Sequence, residues 1–352
     1  MNRREALGLL AGACAAASRR SARATDSPPR TALGLVIYCC GLRQRAERRD
    51  QPAVELFEPL RFLEHAHRLG AGGIQVPLGI RDAAYAGDLR RRAEAWGMFV
   101  EGIANPPPDQ AAVERFDAEL RTAAAAGAVA VRTVILPGRR YESFDSAEQF
   151  RQADQQARRS LELAEPVAQR RRVALAVENH KDHRVDERLE LLRRISSPWV
   201  GACVDLGNSV ALLEDPTEVV HAYAPWALAV HLKDQAVREY EEGFLLADVP
   251  LGEGFLDLTN MVDLLRKTKP AIRFSLELIT RDPLKVPCLS EKYWATLAAV
   301  PGRDLARTLR TVRNHQAKRL PSLDNLSLDA QVAQEDRHIE ASLRFARETL
   351  LL

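Results

Sequence analysis

Cysteine is scarce in this 352-residue sequence: there are five, and Cys14 falls within the first 24 residues. The others, Cys39, Cys40, Cys203 and Cys288, include a vicinal pair that cannot readily bridge without strain. No disulfide scaffold is implied, and a chain of this length needs none. A charge of one sign is equally lacking. Lys and Arg number 50 against 48 Asp and Glu, and the basic residues are scattered through helical stretches. That distribution excludes a nucleic-acid footprint. The apolar run from Ala6 to Ala17 falls short of a bilayer core of ~30 Å, which excludes a permanent membrane anchor. No Gly-x-Gly-x-x-Gly follows the first candidate strand, which argues against a doubly wound dinucleotide-binding sheet, the second choice of fold.

What the N-terminus does contain is a signal-peptide layout over residues 1–24: a short basic head, the apolar run, and an Ala-x-Ala end at Ala22 to Ala24. Arg3 and Arg4 stand just ahead of the apolar run and resemble a twin-arginine export signal. The reading predicts a periplasmic protein whose mature chain begins near Thr25.

From Thr31 onward, apolar runs of five to nine residues alternate with amphipathic segments. The runs fall at 32–38, 72–78, 97–103, 128–136, 173–179, 199–205, 227–233 and 272–278. Segments at helical spacing lie between them, several closed by a glycine such as Gly70 or Gly127. Eight strands each followed by a helix predict an α/β fold of the (β/α)8 barrel type, placed here over 25–300. The stretch 301–352 is read as a helical extension whose last helix carries Ile339, Leu343, Phe345 and Leu350 on one face and packs on the barrel's outer wall.

In such a barrel the active site lies at the C-terminal ends of the strands. Strand five ends at Glu178-Asn179-His180, strand six at Asp205-Leu206-Gly207-Asn208 and strand seven at His231-Leu232-Lys233-Asp234. Strand eight carries Glu277 between Leu276 and Leu278, where an unpaired carboxylate is costly. Four consecutive strands thus deliver metal-competent side chains to one mouth. Three carboxylates and an imidazole suit one divalent ion, Mn²⁺ first, with Mg²⁺, Co²⁺ or Zn²⁺ as alternatives.

At these residues, in "VEN", "VDLGN", "HLKD" and "ELI", the chain resembles the xylose isomerase-like superfamily, the sugar phosphate isomerase/epimerase group. "PLGEGFLDL" (250–258) resembles that group's Pro-x-Gly-x-Gly segment, and "ASLRFARETL" resembles the closing helix of its exported bacterial members. The resemblance implies that Glu178, Asp205, His231 and Glu277 bind the metal and that Glu178 and Glu277 also move protons. The chain has Asn208 where the ketose epimerases have a substrate-binding His, and Val237, beside Arg238, where they have an Arg. Arg184 stands where they have a further Glu.

The implied reaction is that of a metal-dependent sugar isomerase or epimerase, in which a proton leaves the carbon beside a carbonyl and an enediolate forms. The alternative is a lyase or dehydratase acting on a keto-sugar or a 3-keto-glycoside. His180, Asn208, Lys233, Arg238 and Glu253 are the candidates for holding substrate hydroxyls. The partner is a small sugar, and export favours free, oxidised or glycosidically linked sugars over sugar phosphates. A multi-zinc phosphodiesterase of the endonuclease IV kind is disfavoured, because the loops after strands two, three and four contain no His. A non-catalytic sugar-binding barrel is the remaining rival, and the sequence leaves the oligomeric state open.

Overall fold

A computed structural model describes residues 29–51, 55–136 and 138–352. The expected export signal over residues 1–24 lies outside the described residues. The strands in chain order are β1 (Gly34–Val36), β2 (Gly73–Val76), β3 (Phe99–Ile103), β4 (Ala130–Thr133), β5 (Leu175–Glu178) and β6 (Val200–Asp205). They continue with β7 (Ala227–Leu232), β8 (Asp234–Tyr240), β9 (Gly243–Val249), β10 (Phe274–Leu276) and β11 (Leu284–Val286).

Eight of these close into a barrel in the order β1-β10-β7-β6-β5-β4-β3-β2. Each neighbouring pair is parallel, and each strand lies inside one of the eight apolar runs. Small and branched apolar residues form these strands because both faces are covered, one by the barrel interior and the other by helices. At the floor the Phe99 ring lies so close to β1 and β2 that a Cβ on Gly34 or Gly73 would come within 2.5 Å of it. Glycine at both positions is what admits the ring.

The wall helices show the expected stops and starts. Asp82, Ser146 and Asp215 accept hydrogen bonds from backbone N–H groups in the first turns of their helices, and Gly70 ends the helix Pro59–Leu69 with a φ of 82°. Between β10 and the C-terminus the chain departs from strict alternation. It first leaves the wall to form β11 and the helix Gly302–Asn314, then returns as the helix Leu328–Glu348. That last helix packs on the outer wall as expected, beside the helix Gly41–Asp50 on one side and the loop at Gly252 on the other. It occupies the wall position of the eighth strand, and Thr31 Oγ1 donates to the Leu352 carbonyl at 2.8 Å, bringing the two ends of the described chain together.

A three-stranded sheet, β11-β9-β8, stands outside the barrel. With the turn Asn208–Leu212, Tyr141, Tyr293 and the helix Gly302–Asn314 it encloses a second hydrophobic core that includes Val237, Phe244, Leu246 and Val312. These segments follow the C-terminal ends of β4, β6, β7 and β10, so they form a cap on the mouth of the barrel. Among the described residues no helix is long and apolar enough to cross a membrane.

Candidate metal centre

Strand ends bring the four expected ligands to one point. Glu178 and Asp205 are the last residues of β5 and β6, His231 is the penultimate residue of β7, and Glu277 follows β10 directly. Register places Asp205 opposite His231 and Glu178 opposite Cys203. Glu178, Asp205 and His231 are fully buried and Glu277 is 4% exposed. One ligand atom from each lies within 4.8 Å of all the others.

His231 Nδ1 stands among the carboxylates, 3.4 Å from Glu277 Oε2, 3.6 Å from Glu178 Oε2 and 3.9 Å from Asp205 Oδ2. It makes no hydrogen bond. Ligand atoms bound at about 2.1 Å to one small divalent ion lie roughly 3–4 Å apart, so these residues fit a single ion. The fit rests on the buried, unpartnered Nδ1 and on the hard, oxygen-rich donor set around it.

The ring is held from behind by a polar layer. Gln75 and Glu101 are register partners on β2 and β3. Gln75 Nε2 donates to Glu101 Oε2 at 2.8 Å, Ser275 Oγ donates to the same oxygen at 2.9 Å, and His231 Nε2 lies 2.8 Å from Gln75 Oε1. A carboxylate accepts only, so Glu101 orients the Gln75 amide with its oxygen toward His231. The imidazole therefore carries a proton on Nε2 and turns Nδ1 toward the carboxylates.

Three cations stand around the cluster. Arg132 on β4 grips Glu178 Oε2 with Nε at 2.5 Å and with its terminal nitrogen, while Asn208 Nδ2 donates to Glu178 Oε1 at 3.1 Å. Burial pushes the Glu178 carboxyl up, and the Arg132 guanidinium overrides it, holding the group below the usual range. Lys233 Nζ lies 2.8 Å from both Asp205 Oδ2 and Glu277 Oε2. Burial pushes Asp205 up to about 6 against the pull of Lys233, whereas Lys233 and His231 together hold Glu277 well below the usual carboxylate range. The third cation, Lys181, donates to Asn208 Oδ1, which also accepts from Lys233 at 3.4 Å.

Asn208 and Lys233 thus reach the cluster. His180 is half-buried, with Nδ1 3.2 Å from the Gly138 carbonyl, and its field is felt at Glu178. Arg238 is exposed on β8 and Glu253 is exposed after β9, and neither makes a hydrogen bond or ion pair with any member of the cluster. Asp234 of "HLKD" anchors the "PLGEGF" loop instead. Its carboxylate accepts from the backbone N–H groups of Gly252, Gly254 and Leu256 at 2.9 to 3.2 Å. Arg184 turns away to Asp304 of the cap at 2.8 Å.

Sequence reasoning missed Gln75, Glu101, Arg132 and Lys181. Three of them carried the signal that identified Glu277, a polar side chain set inside an apolar run: "GGIQVPL", "GMFVEGI" and "AVAVRTVIL". Lys181 gave no such signal, because it sits in the polar tail "NHKDHR".

Known proteins share this architecture. A stretch 34% identical over 94 residues links the chain to the 3-oxo-isoapionate decarboxylase of Pectobacterium atrosepticum; it covers 26% of this chain and spans about a third (34%) of that relative. D-psicose 3-epimerase, solved in the presence of D-fructose, superposes with a TM-score of 0.53 at 13% identity over 85% of this chain and 94% of its own. A xylose isomerase-like TIM barrel protein from Mycobacterium smegmatis, in complex with magnesium, gives 0.52 at 16% identity over 81% and 97%. L-ribulose 3-epimerase gives 0.51 at 15% identity over 82% and 99%. At these identities the structures speak for the fold. The family match is made by the sequence itself, over residues 63–300, which hold seven of the eight barrel strands and all four residues of the cluster: the chain belongs to the Xylose isomerase-like TIM barrel family.

Proposed function

We propose that the protein is a metal-dependent sugar isomerase or epimerase that removes a proton from the carbon beside a carbonyl. The observation that carries this reading is the unpartnered His231 Nδ1 among three carboxylate oxygens at the mouth of the barrel. A divalent ion there, Mn²⁺ first among the candidates, supplies a Lewis acid for the negative charge that develops on the carbonyl oxygen. Glu277 is the base. Lys233 at 2.8 Å keeps it ionised and fixes its position. Glu178 lies on the far side of the cluster, β5 and β10 being three strands apart in the ring, and is placed to address the opposite face of the substrate. Buried walls exclude water from the carbanionic stage. The epimerases that share the fold support this reading.

A second reading, a lyase acting on a keto-sugar or a 3-keto-glycoside, is favoured by one contact. Arg132 ties up Glu178 Oε2, which takes the second base out of play and suits chemistry on one face by Glu277. The partial relative, a decarboxylase, supports that reading.

The protein should hold one divalent ion per chain, and Asp205→Ala or His231→Ala should abolish its binding. Keto-sugars and 3-keto-glycosides incubated with metal-loaded protein in deuterated water should take up solvent deuterium, and Glu277→Gln should slow that uptake by about 10²–10⁴-fold. Product mass separates the two readings: an isomerase returns the sugar unchanged apart from deuterium, and a lyase releases a fragment. Stoichiometric metal in the Asp205→Ala, His231→Ala double variant ends the assignment.

A further inference from the structure

Five Lys and Arg side chains are buried among the described residues: Arg132, Arg140, Lys181, Arg188 and Lys233. Four of them face a carboxylate. Arg132 pairs with Glu178, Arg140 with Glu187, Arg188 with Asp182, and Lys233 with both Asp205 and Glu277. Lys181 is 4% exposed, and its hydrogen-bond partner is a neutral amide, Asn208 Oδ1, with no carboxylate within ion-pairing distance. A buried ammonium without a counter-charge is costly, and its backbone adds to the cost with a φ of 20°. The fold holds this cation in place against both penalties.

Its position gives it a use. Asn208 joins Lys181 to Lys233 and, through its Nδ2, to the ligand Glu178, so the ammonium stands one amide away from the cluster. Burial, with Lys233 and Arg281 repelling it, pushes the Lys181 ammonium down to about 8, against the pull of Asp205 and Asp248. Asp248 and Arg281 largely cancel, lying 3.5 Å apart. Within the cluster, Arg132 pairs with Glu178, and Lys233 with Asp205 and Glu277, which leaves Lys181 as the cation that no carboxylate meets. A neutral ketose gives that buried ammonium no counter-charge, and an acid does.

We infer that the substrate is a sugar acid, whose carboxylate is received by the Lys181 ammonium while its carbonyl end lies at the cluster. The placement of the carbonyl rests on the proposed function; the preference for an acid rests on Lys181.

The two are tested on the same samples. Metal content is measured, and the metal-loaded protein is titrated calorimetrically with D-gluconate and with D-glucitol, which share a carbon skeleton and differ in the acid group. Gluconate should bind more tightly by about tenfold or more, as expected for a hydrogen bond to a charged group. In Lys181→Met the two affinities should converge with metal content unchanged and the melting temperature no lower, because an unpaired buried charge is removed. Lys181→Arg should restore the preference. Equal affinities in the wild type, undetectable gluconate binding, or a preference that survives in Lys181→Met overturns the inference. Protein that takes up no divalent ion and still prefers gluconate through Lys181 overturns the proposed reaction and leaves this inference standing.

Discussion

At the scale of single residues, the site depends on a choice between two nitrogens of one ring. His231 presents Nδ1 to the carboxylates because Nε2 is engaged by Gln75, and Gln75 is oriented by Glu101 and not by the ring itself. Gln75→Leu should therefore lower metal affinity by about 10–100-fold while leaving the four ligands in place, the usual cost of losing a partner behind a ligand. Competition with a chelating dye reads this directly, and unchanged affinity would show that the tautomer is fixed in another way. The four residues of the cluster are legible in the sequence because each ends or interrupts an apolar run. Gln75, Glu101 and Arg132 interrupt such runs as well, but they stand on β2, β3 and β4, away from the four consecutive strand ends that carry the cluster. A carboxylate cluster in a barrel interior needs its charges balanced by side chains from other strands. The polar residues of β2, β3 and β4 meet that need in part, Arg132 directly and Gln75 and Glu101 through His231.

Among the elements, the eight barrel strands were legible for a physical reason: strands covered on both faces read as unbroken apolar runs. The hairpin β8–β9 was not. Its sequence, "DQAVREYEEGFLLADV", alternates over short stretches and turns at Glu241-Glu242, without the Asn-Gly or Asp-Gly that marks a tight hairpin. The apolar face of the C-terminal helix marks it for the wall, but what fastens it there leaves no signal in the sequence. Glu335, 1% exposed, accepts from the backbone N–H groups of Leu42 at 2.8 Å and Arg43 at 2.9 Å, capping the helix Gly41–Asp50 from a distant part of the chain. Glu335→Ala should cost about 1–3 kcal/mol by leaving those donors unpaired. Ile339→Ala, at a fully buried position one turn on, should cost about 2–5 kcal/mol through the cavity it leaves. Chemical denaturation measures both. A loss under half a kilocalorie in either variant would mean that the helix is only loosely attached.

For the whole molecule, the decisive feature is that the carboxylate and histidine cluster is all but closed to solvent. Glu178, Asp205 and His231 have no exposed surface and Glu277 only 4%, so a substrate that is to meet all four needs part of the structure to move. The barrel core and the cap core are separate clusters, and separate cores open separately. Phe255 packs against both cores, and polar ties join them as well, Arg184 to Asp304 at 2.8 Å and Arg140 Nη2 to the Thr296 carbonyl at 2.7 Å. Hydrogen exchange should find the amides of β8, β9 and β11 less protected than those of β5, β6 and β7, with the difference narrowing when metal and a bound sugar fill the site. Tyr293 supports the cap from within, fully buried and donating to the Ala211 carbonyl at 2.9 Å. Tyr293→Ala should speed exchange across the cap while the barrel strands keep their protection, because the cavity forms in the second core alone. If cap and barrel amides instead exchange together in both proteins, the two cores open as one unit, and the substrate must enter past the loops that follow β2, β3 and β4.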